Sequence, residues 1–419
     1  MTALQNEVDA APARSSLGLV VLIVLIDLLG FSLVMPLLGP LAKDYQLDGF
    51  RTGLLFAAFP ICQLIAGPIL GKLSDRYGRR PVLVFSQAGT ALSFVILGLA
   101  QDFPTLLLGR MLDGFSGGNI LVAQAYVADV TRPEHRVRGM GMIGMAFGLG
   151  FVLGPFLGGL MLELPLPSEW LLRAPFLAAA GFSTIALLLV IAKLPESLPK
   201  GAEPRQAARV LTKRGLVDVF RLDGVGALAL IGFLSILAWA SFEGTFAVFL
   251  QRRMGWSTRS ASFAFAATGL VSALVQGGLI RALVPRLGEF RLILAGAALG
   301  GLGFAVTALV DPSAGVPGLA VAIVLFAVGS GLLSPSITGL LSRITPAGEQ
   351  GAVFGALLAI QTVARIISYL LGNVLQDRVS ASAPYWFAAG VYALLVLVAA
   401  LAASRLAAAL KASQATAEA

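Results

Sequence analysis

Long apolar runs separated by short polar turns recur from one end of the chain to the other. The interval Gly139–Leu162 holds 24 residues without a charge. A helix of that length, at about 1.5 Å per residue, crosses a hydrocarbon core about 30 Å thick. Eleven other runs of comparable character predict an all-α membrane protein with 12 transmembrane helices. The predicted spans lie at 17–40, 52–71, 82–101, 104–128, 139–162, 173–193, 226–250, 260–284, 289–310, 317–342, 350–375 and 383–408.

One long polar stretch divides these spans into two sets of six. It carries six Lys or Arg residues and three prolines, and it predicts a linker with a surface helix near Gln206–Phe220. The predicted segments are a disordered cytoplasmic tail (1–16), a six-helix bundle (17–193), the cytoplasmic linker (194–225), a second six-helix bundle (226–408) and a second cytoplasmic tail (409–419).

The two halves share a weak internal similarity. Gly78 aligns with Gly288 at an offset of 210 residues, and Thr131 aligns with Thr345 at an offset of 214. Transporters that rock one bundle against the other around a midplane site are built from such pseudo-symmetric halves. The second copy is degenerate, since it has no acidic counterpart of Asp75. Charged gating elements are therefore expected in the first half.

Composition supports a membrane location and an orientation. The chain has 57% hydrophobic and 12% charged residues, and its mean hydropathy is +0.88, whereas soluble domains carry about 25% charged residues. With the N-terminus inside, 21 of the 30 Lys and Arg residues fall in cytoplasmic segments and seven on the opposite side. This bias predicts cytoplasmic N- and C-termini. It also attributes the net charge of +8 to loops beside the membrane rather than to a nucleic-acid surface.

Charged residues inside the predicted spans are the main candidates for chemistry, because such charges are costly in lipid and usually face a cavity or a partner. Asp27 lies near the middle of the first span, and Arg110 and Asp113 share one face of the fourth. Burial disfavours a charged carboxylate and a neighbouring arginine favours it, so Asp113, with Asp27 second, is the best proton-binding candidate. The alternative is a structural Asp–Arg pair that fastens the first and fourth helices.

Glu243 on the seventh span and Arg365 on the eleventh lie at similar depths. Glu243 is a candidate to bind a proton or a cationic substrate group, and Arg365 to balance it or to bind an anionic group. A buried ion pair that holds the second half together is the equal alternative. Weaker candidates for a substrate cavity, each with helix packing as the alternative, are Gln63, Asn119, Gln124, Tyr126, Trp239, Phe242, Gln276, Gln361, Tyr369 and Asn373.

Two motifs resemble those of the major facilitator superfamily. The loop Gly71–Arg80 reads GKLSDRYGRR, and the fifth span contains the spacing of Gly141, Gly150, Gly154, Pro155, Gly158 and Gly159 that is typical of its antiporters. The resemblance implies a cytoplasmic gate formed by Gly71, Asp75, Arg76, Gly78, Arg79, Arg80 and Asp129. In such a gate Asp75 faces the N-terminus of the eleventh helix, near Gly351, and Arg79 pairs with Asp129. The glycine-rich span would be a hinge that packs closely on a neighbour.

Further stretches resemble the tetracycline-efflux branch of the 12-helix drug:proton antiporters. They are Asp27–Pro36, Leu194-Pro195-Glu196-Ser197 and Gly331–Gly351. That branch carries a histidine in the eighth helix and an acid in the ninth, whereas the corresponding spans here have neither, unless Glu289 at the edge serves. The resemblance implies a multidrug-type exporter, with tetracycline itself as an open question.

We therefore expect a proton-coupled antiporter of small amphipathic compounds in the bacterial inner membrane, acting as a monomer. No cofactor or metal is expected beyond a proton gradient, and neither enzymatic activity nor nucleic acid binding is expected. One alternative is a facilitator or proton symporter of a sugar or other small metabolite on the same fold. Another is a non-transporting membrane scaffold, which would have no need for Asp113 and Glu243 in lipid.

Overall fold

The computed structural model describes residues 2–132, 135–198, 222–346 and 349–418, and every regular element within these ranges is helical. The predicted surface helix near Gln206–Phe220 lies outside the described residues. In the first half the helices are α1 (Thr2–Asp44), α2 (Gly49–Tyr77), α3 (Arg79–Leu99), α4 (Phe103–Ser116), α5 (Asn119–Val130), α6 (Arg136–Met161), α7 (Ser168–Leu171) and α8 (Ala174–Lys193).

The second half repeats this helical pattern. Its helices are α9 (Val225–Met254), α10 (Thr258–Leu274), α11 (Ile280–Leu287), α12 (Glu289–Leu309), α13 (Gly315–Ile344), α14 (Gln350–Arg378) and α15 (Ala383–Glu418). A π-helical turn, Val275–Leu279, joins α10 to α11, so these two continue one another. In the part of the chain described, eleven helical stretches are long and apolar enough to cross a membrane.

The fourth predicted span, 104–128, is not one continuous helix, and the prediction was wrong on this point. The span is split into α4 and α5 at Gly117-Gly118. Gly117 donates its N–H to the Asp113 carbonyl at 2.7 Å, and its own carbonyl accepts from Gln63 Nε2 at 2.9 Å. The break is tolerated at membrane depth because a side chain from α2 satisfies the freed backbone group.

The helices also extend beyond the predicted spans at both ends of the chain. Residues 2–16, predicted to be a disordered tail, continue α1, and residues 409–418 continue α15. Both segments are rich in alanine and other strong helix formers, which favours propagation of an existing helix.

Two compact units make up the structure. The first is Met1–Tyr45 with Ala58–Gln206, and the second is Gln46–Ala57 with Ala207–Ala419. The first two turns of α2 thus belong to the second unit, where the Gly49 N–H donates to Asp377 Oδ2 at 2.9 Å. Sequence patterns do not indicate this division, since residues 46–57 lie among the first set of predicted spans.

The backbone shows the internal repeat directly. Gly78 and Gly288 precede α3 and α12 with φ angles of +103° and +74° and ψ angles of 158° and 159°. Both of those helices contain 21 residues. Thr131 and Thr345 end α5 and α13 in the same extended conformation. A positive φ costs glycine little, so the aligned glycines preserve the same turn in each half.

Candidate functional site

The turn between α2 and α3 is built around the buried Arg79. Its Nη1 lies 2.7 Å from Asp75 Oδ1 and donates to Ser74 Oγ at 2.6 Å, and its Nε lies 3.0 Å from Asp129 Oδ2. The predicted pair of Arg79 with Asp129 is present. Asp75 contacts Arg79 as well, one helical turn away, and its contact with the eleventh helix stays a prediction.

Glu196 also contacts this turn. In the sequence it stands out only as part of the Leu194-Pro195-Glu196-Ser197 stretch, with no role assigned to it. Its carboxylate accepts the backbone N–H groups of Arg79 at 2.8 Å and Arg80 at 3.0 Å, the first two residues of α3. It also accepts those of Ser197 and Leu198, both at 3.0 Å. A carboxylate at a helix N-terminus satisfies otherwise unpaired donors and is favoured by the helix dipole.

The other residues of the predicted gate lie in the same turn, and their contacts differ from one residue to the next. Arg80 Nη2 donates to the Ile191 carbonyl at 2.6 Å. Arg76 is exposed, and its guanidinium carbon lies 5.3 Å from the centre of the Tyr77 ring. A Cβ added at Gly71 would meet nothing within 4 Å, whereas one at Gly78 would collide with the Glu196 carboxylate.

The glycine-rich helix α6 packs on α1 along part of its length. Added Cβ atoms at Gly150, Gly154 and Gly158 would come to 3.0 Å or closer to atoms of α1. Ser32 on α1 donates to the Gly150 carbonyl at 2.7 Å. Pro155 lies inside the helix and Gly159 is buried. Gly141 differs, since a Cβ there would meet nothing within 4 Å, so its expected packing role was wrong.

A cluster of ionisable and amide side chains lies inside the first unit. Arg110 Nη1 pairs with Asp113 Oδ2 at 2.8 Å, and the Arg110 guanidinium carbon lies 5.0 Å from the Phe59 ring centre. Asp27 Oδ2 accepts from Asn119 Nδ2 at 2.6 Å. The Arg110–Asp113 pair lies within α4 itself, and the alternative in which it fastens the first and fourth helices stays a prediction. A contact between α1 and the broken span is made by Asp27 and Asn119.

Gln87 on α3 belongs to this cluster and was missed by the sequence analysis. Its side chain faces the Asp27 carboxylate and is 1% exposed. A glutamine inside an apolar span is a weak indication of a polar site, and the position of Gln87 in the span 82–101 could have suggested it. Asp27 and Asp113 are also close enough to interact electrostatically.

The second unit holds its own buried charge pair. Arg365 Nη1 on α14 pairs directly with Glu243 Oε2 on α9, and the Tyr369 hydroxyl donates to the same oxygen at 2.8 Å. Glu243 is 4% exposed and Arg365 30%. The other oxygen, Glu243 Oε1, is buried and has no hydrogen-bond partner among the described residues. The geometry thus contains the predicted ion pair and leaves one carboxylate oxygen available for a proton or a donor group.

The weaker cavity candidates fall into different environments. Trp239 stacks on Phe326 with ring centres 4.9 Å apart, and Phe242 packs between Phe246 and Phe265 beside Glu243. Gln124 and Gln361 are half-buried, and Gln276 is exposed in the π-helical turn.

Two of these candidates are buried and donate hydrogen bonds to backbone carbonyls. The Tyr126 side chain is fully buried and its hydroxyl donates to the Pro195 carbonyl at 3.0 Å. Asn373 is buried, and its amide donates to the Tyr369 carbonyl at 2.8 Å.

Comparison with known proteins agrees with this architecture. The family model of the Major Facilitator Superfamily matches residues 20–369 and 283–418. The class C tetracycline resistance protein of Escherichia coli is 32% identical over 382 residues, covering 89% of this chain and 92% of that protein. Multidrug resistance protein 1 of Bacillus subtilis (strain 168) is 30% identical over 371 residues, covering 87% of this chain and 90% of that protein.

A solved structure gives the same result. The crystal structure of the human organic anion transporter MFSD10 (TETRAN) is 27% identical, with a TM-score of 0.68, and covers 93% of this chain and 99% of that one. The family match, the repeated half and the relatives covered almost end to end lead to one assignment. The chain belongs to the Major Facilitator Superfamily, within which it is similar to the tetracycline resistance branch of the drug:proton antiporters.

Proposed function

We propose that this transporter is a proton-coupled antiporter that exports small amphipathic compounds by alternating access. We place it in a bacterial inner membrane with both termini in the cytoplasm, acting as a monomer and driven by the proton gradient alone. The similarity to tetracycline and multidrug resistance proteins supports export of drug-like compounds. The departures noted in the eighth and ninth spans argue for a substrate range different from tetracycline alone.

The charge balance of the first-unit cluster carries this proposal. Asp27 and Asp113 are two carboxylates, and Arg110, the cation of this cluster in the described part of the chain, pairs with Asp113. Burying an uncompensated charge is costly, so the cluster is expected to take up one positive charge. A proton or a monovalent cationic substrate can supply that charge, but both together would overshoot it. Competition between the two is the physical basis of antiport.

Proteoliposomes with an imposed pH gradient test the proposal. Tetracycline and ethidium, an amphipathic cation, serve as probes, and their uptake is followed as the gradient is reversed. Antiport predicts that a probe accumulates against the direction of proton flow. Movement with the protons would instead establish a symporter, and movement that ignores the gradient a facilitator.

Asp113→Asn supplies the decisive variant. It removes one negative charge from the cluster and is expected to abolish the response to the pH gradient. Asp223→Asn, at an exposed position outside the spans, is the matched control and should transport as the wild type does. If Asp113→Asn still responds fully to the gradient, the Arg110–Asp113 pair is structural and the coupling site lies elsewhere.

A further inference from the structure

Among the described residues of the first unit, three buried carboxylate or amide oxygens have no hydrogen-bond donor. They are Asp27 Oδ1, Gln87 Oε1 and Asn119 Oδ1, which are buried and have no partner among the residues described. Gln87 and Asn119 are 1% and 3% exposed. Buried polar groups in folded proteins are nearly always satisfied, so a concentration of three unpaired oxygens calls for a ligand that donates hydrogen bonds. We refer to these three side chains as the acceptor site.

The orientation of both amides follows from the carboxylate that they face. Asn119 donates through Nδ2 to Asp27, and only the nitrogen of an amide can donate. Its carbonyl oxygen therefore points away from that hydrogen bond. Gln87 faces the same carboxylate and also leaves its carbonyl oxygen unpaired. Because the oxygen and nitrogen of an amide share one carbon, the Asn119 oxygen lies within about 5 Å of the Asp27 carboxylate.

A count of donors distinguishes the possible occupants. One proton on Asp27 Oδ1 turns that atom into a donor for one amide oxygen and leaves the other amide oxygen unpaired. A primary ammonium group carries three N–H donors and one positive charge, and it can satisfy all three acceptors. A quaternary ammonium has the same charge and no N–H, so it satisfies none of them.

We propose that the acceptor site recognises the N–H groups of a primary ammonium, and that Gln87 and Asn119 select amines that carry such donors over quaternary cations. This inference rests on the proposed function, because it names the substrate class that would exchange for the proton. It assigns to Gln87 and Asn119 a specificity role that the charge of Asp27 alone does not provide.

Calorimetric titration of the purified full chain, without any gradient, tests the site. The probes are 4-phenylbutylammonium and its N,N,N-trimethyl derivative, which share one charge and one apolar body. We expect the primary amine to bind the wild type roughly tenfold more tightly, the factor that corresponds to one or two hydrogen bonds to a charged group left unmade. Equal affinities, or no binding of either probe, would overturn the inference.

Two variants locate the preference. Gln87→Met and Asn119→Leu each replace an amide, its oxygen and its nitrogen together, by an apolar group of similar volume, and each is expected to reduce the preference to about threefold or less. Affinity for the trimethyl probe should be retained, which shows that the protein is folded and the charge of the site intact. Gln251→Met makes the same change on α9, where the amide donates to Thr258, and should keep the full preference. A full preference in both site variants would refute the role of the amides.

The binding test and the transport test can refute the two proposals independently of each other. Selective binding without proton-driven exchange in proteoliposomes would uphold the acceptor site and refute antiport. Proton-driven exchange with no discrimination between the two probes would uphold antiport and refute the site.

Discussion

Single residues at the turn between α2 and α3 show how one side chain can organise several others. Glu196 is exposed to solvent, as most carboxylates are. Its carboxylate nevertheless accepts four backbone N–H groups and fills the space beside Gly78. The positive φ of Gly78 lets the chain reach this carboxylate. The LPES motif identified the residue, but only coordinates reveal that it caps α3.

Glu196→Ala should therefore destabilise the protein by about 1 kcal/mol, the usual cost of losing a helix cap. The change removes the acceptor for the first N–H groups of α3 and leaves the Arg79 side chain held by Asp75, Asp129 and Ser74. Thermal unfolding of the purified protein in detergent measures the effect. Glu169→Ala, at an exposed acidic position in α7, is the matched control. Equal melting temperatures for both variants would show that the cap contributes nothing to stability.

Helices were the most predictable level of this structure, and the exceptions have local causes. The spans follow from hydropathy alone because lipid imposes one length and one character on every crossing segment. The break at Gly117-Gly118 escaped prediction because glycine is common in membrane helices, and nothing nearby in sequence marks Gln63 as the partner of the Gly117 carbonyl. The π-helical turn at Val275–Leu279 contains two glycines and was hidden for the same reason.

The face of α6 that packs on α1 gives a prediction at this scale. A methyl group at Gly154 would collide with the Ser32 side chain and lie 2.8 Å from the Leu33 backbone nitrogen, whereas one at Gly148 would meet nothing within 4 Å. Backbone atoms cannot move aside cheaply, so Gly154→Ala should cost about 1–3 kcal/mol by overpacking. Gly148→Ala should be neutral or slightly stabilising, since alanine is the better helix former.

Melting temperatures of the two alanine variants, prepared side by side, decide between a packing face and a helix that is glycine-rich throughout. A lower melting temperature for Gly154→Ala alone supports the packing face. Similar values for the two would show that α1 and α6 separate easily at this point.

For the whole molecule, the internal repeat accounts for the position of an ion pair as well as for the similar helices of the two halves. Glu289 and Arg343 occupy the positions that Arg79 and Asp129 hold in the first half, by the same offsets of 210 and 214. The pair is again formed, with Arg343 Nη1 at 2.8 Å and 2.9 Å from the two Glu289 oxygens, but its charges are reversed. The sequence predicted the repeat and not this reversal, because neither residue is conserved in type between the halves.

The reversed pair differs from its counterpart in one way that bears on mechanism. Arg79 lies between two carboxylates, Asp75 and Asp129, so it can release one and keep the other. Glu289 and Arg343 lack a third member at the corresponding position, where Pro285 stands in place of an acid. We therefore expect Arg79 to exchange carboxylate partners during transport, and the Glu289–Arg343 pair, which joins α12 to α13, to contribute to stability.

Paired neutralisations separate a switch from a fastening. Asp75→Asn should abolish transport in proteoliposomes while leaving membrane insertion and melting temperature near the wild-type values, because Arg79 keeps Asp129. Glu289→Gln should lower the free energy of unfolding by about 1 kcal/mol, and with it the melting temperature, because Arg343 loses the charge of its partner in a pair that is partly exposed. Its transport per folded molecule should be retained. Wild-type transport by Asp75→Asn, or loss of transport by Glu289→Gln at unchanged stability, would reverse the assignment of the two roles.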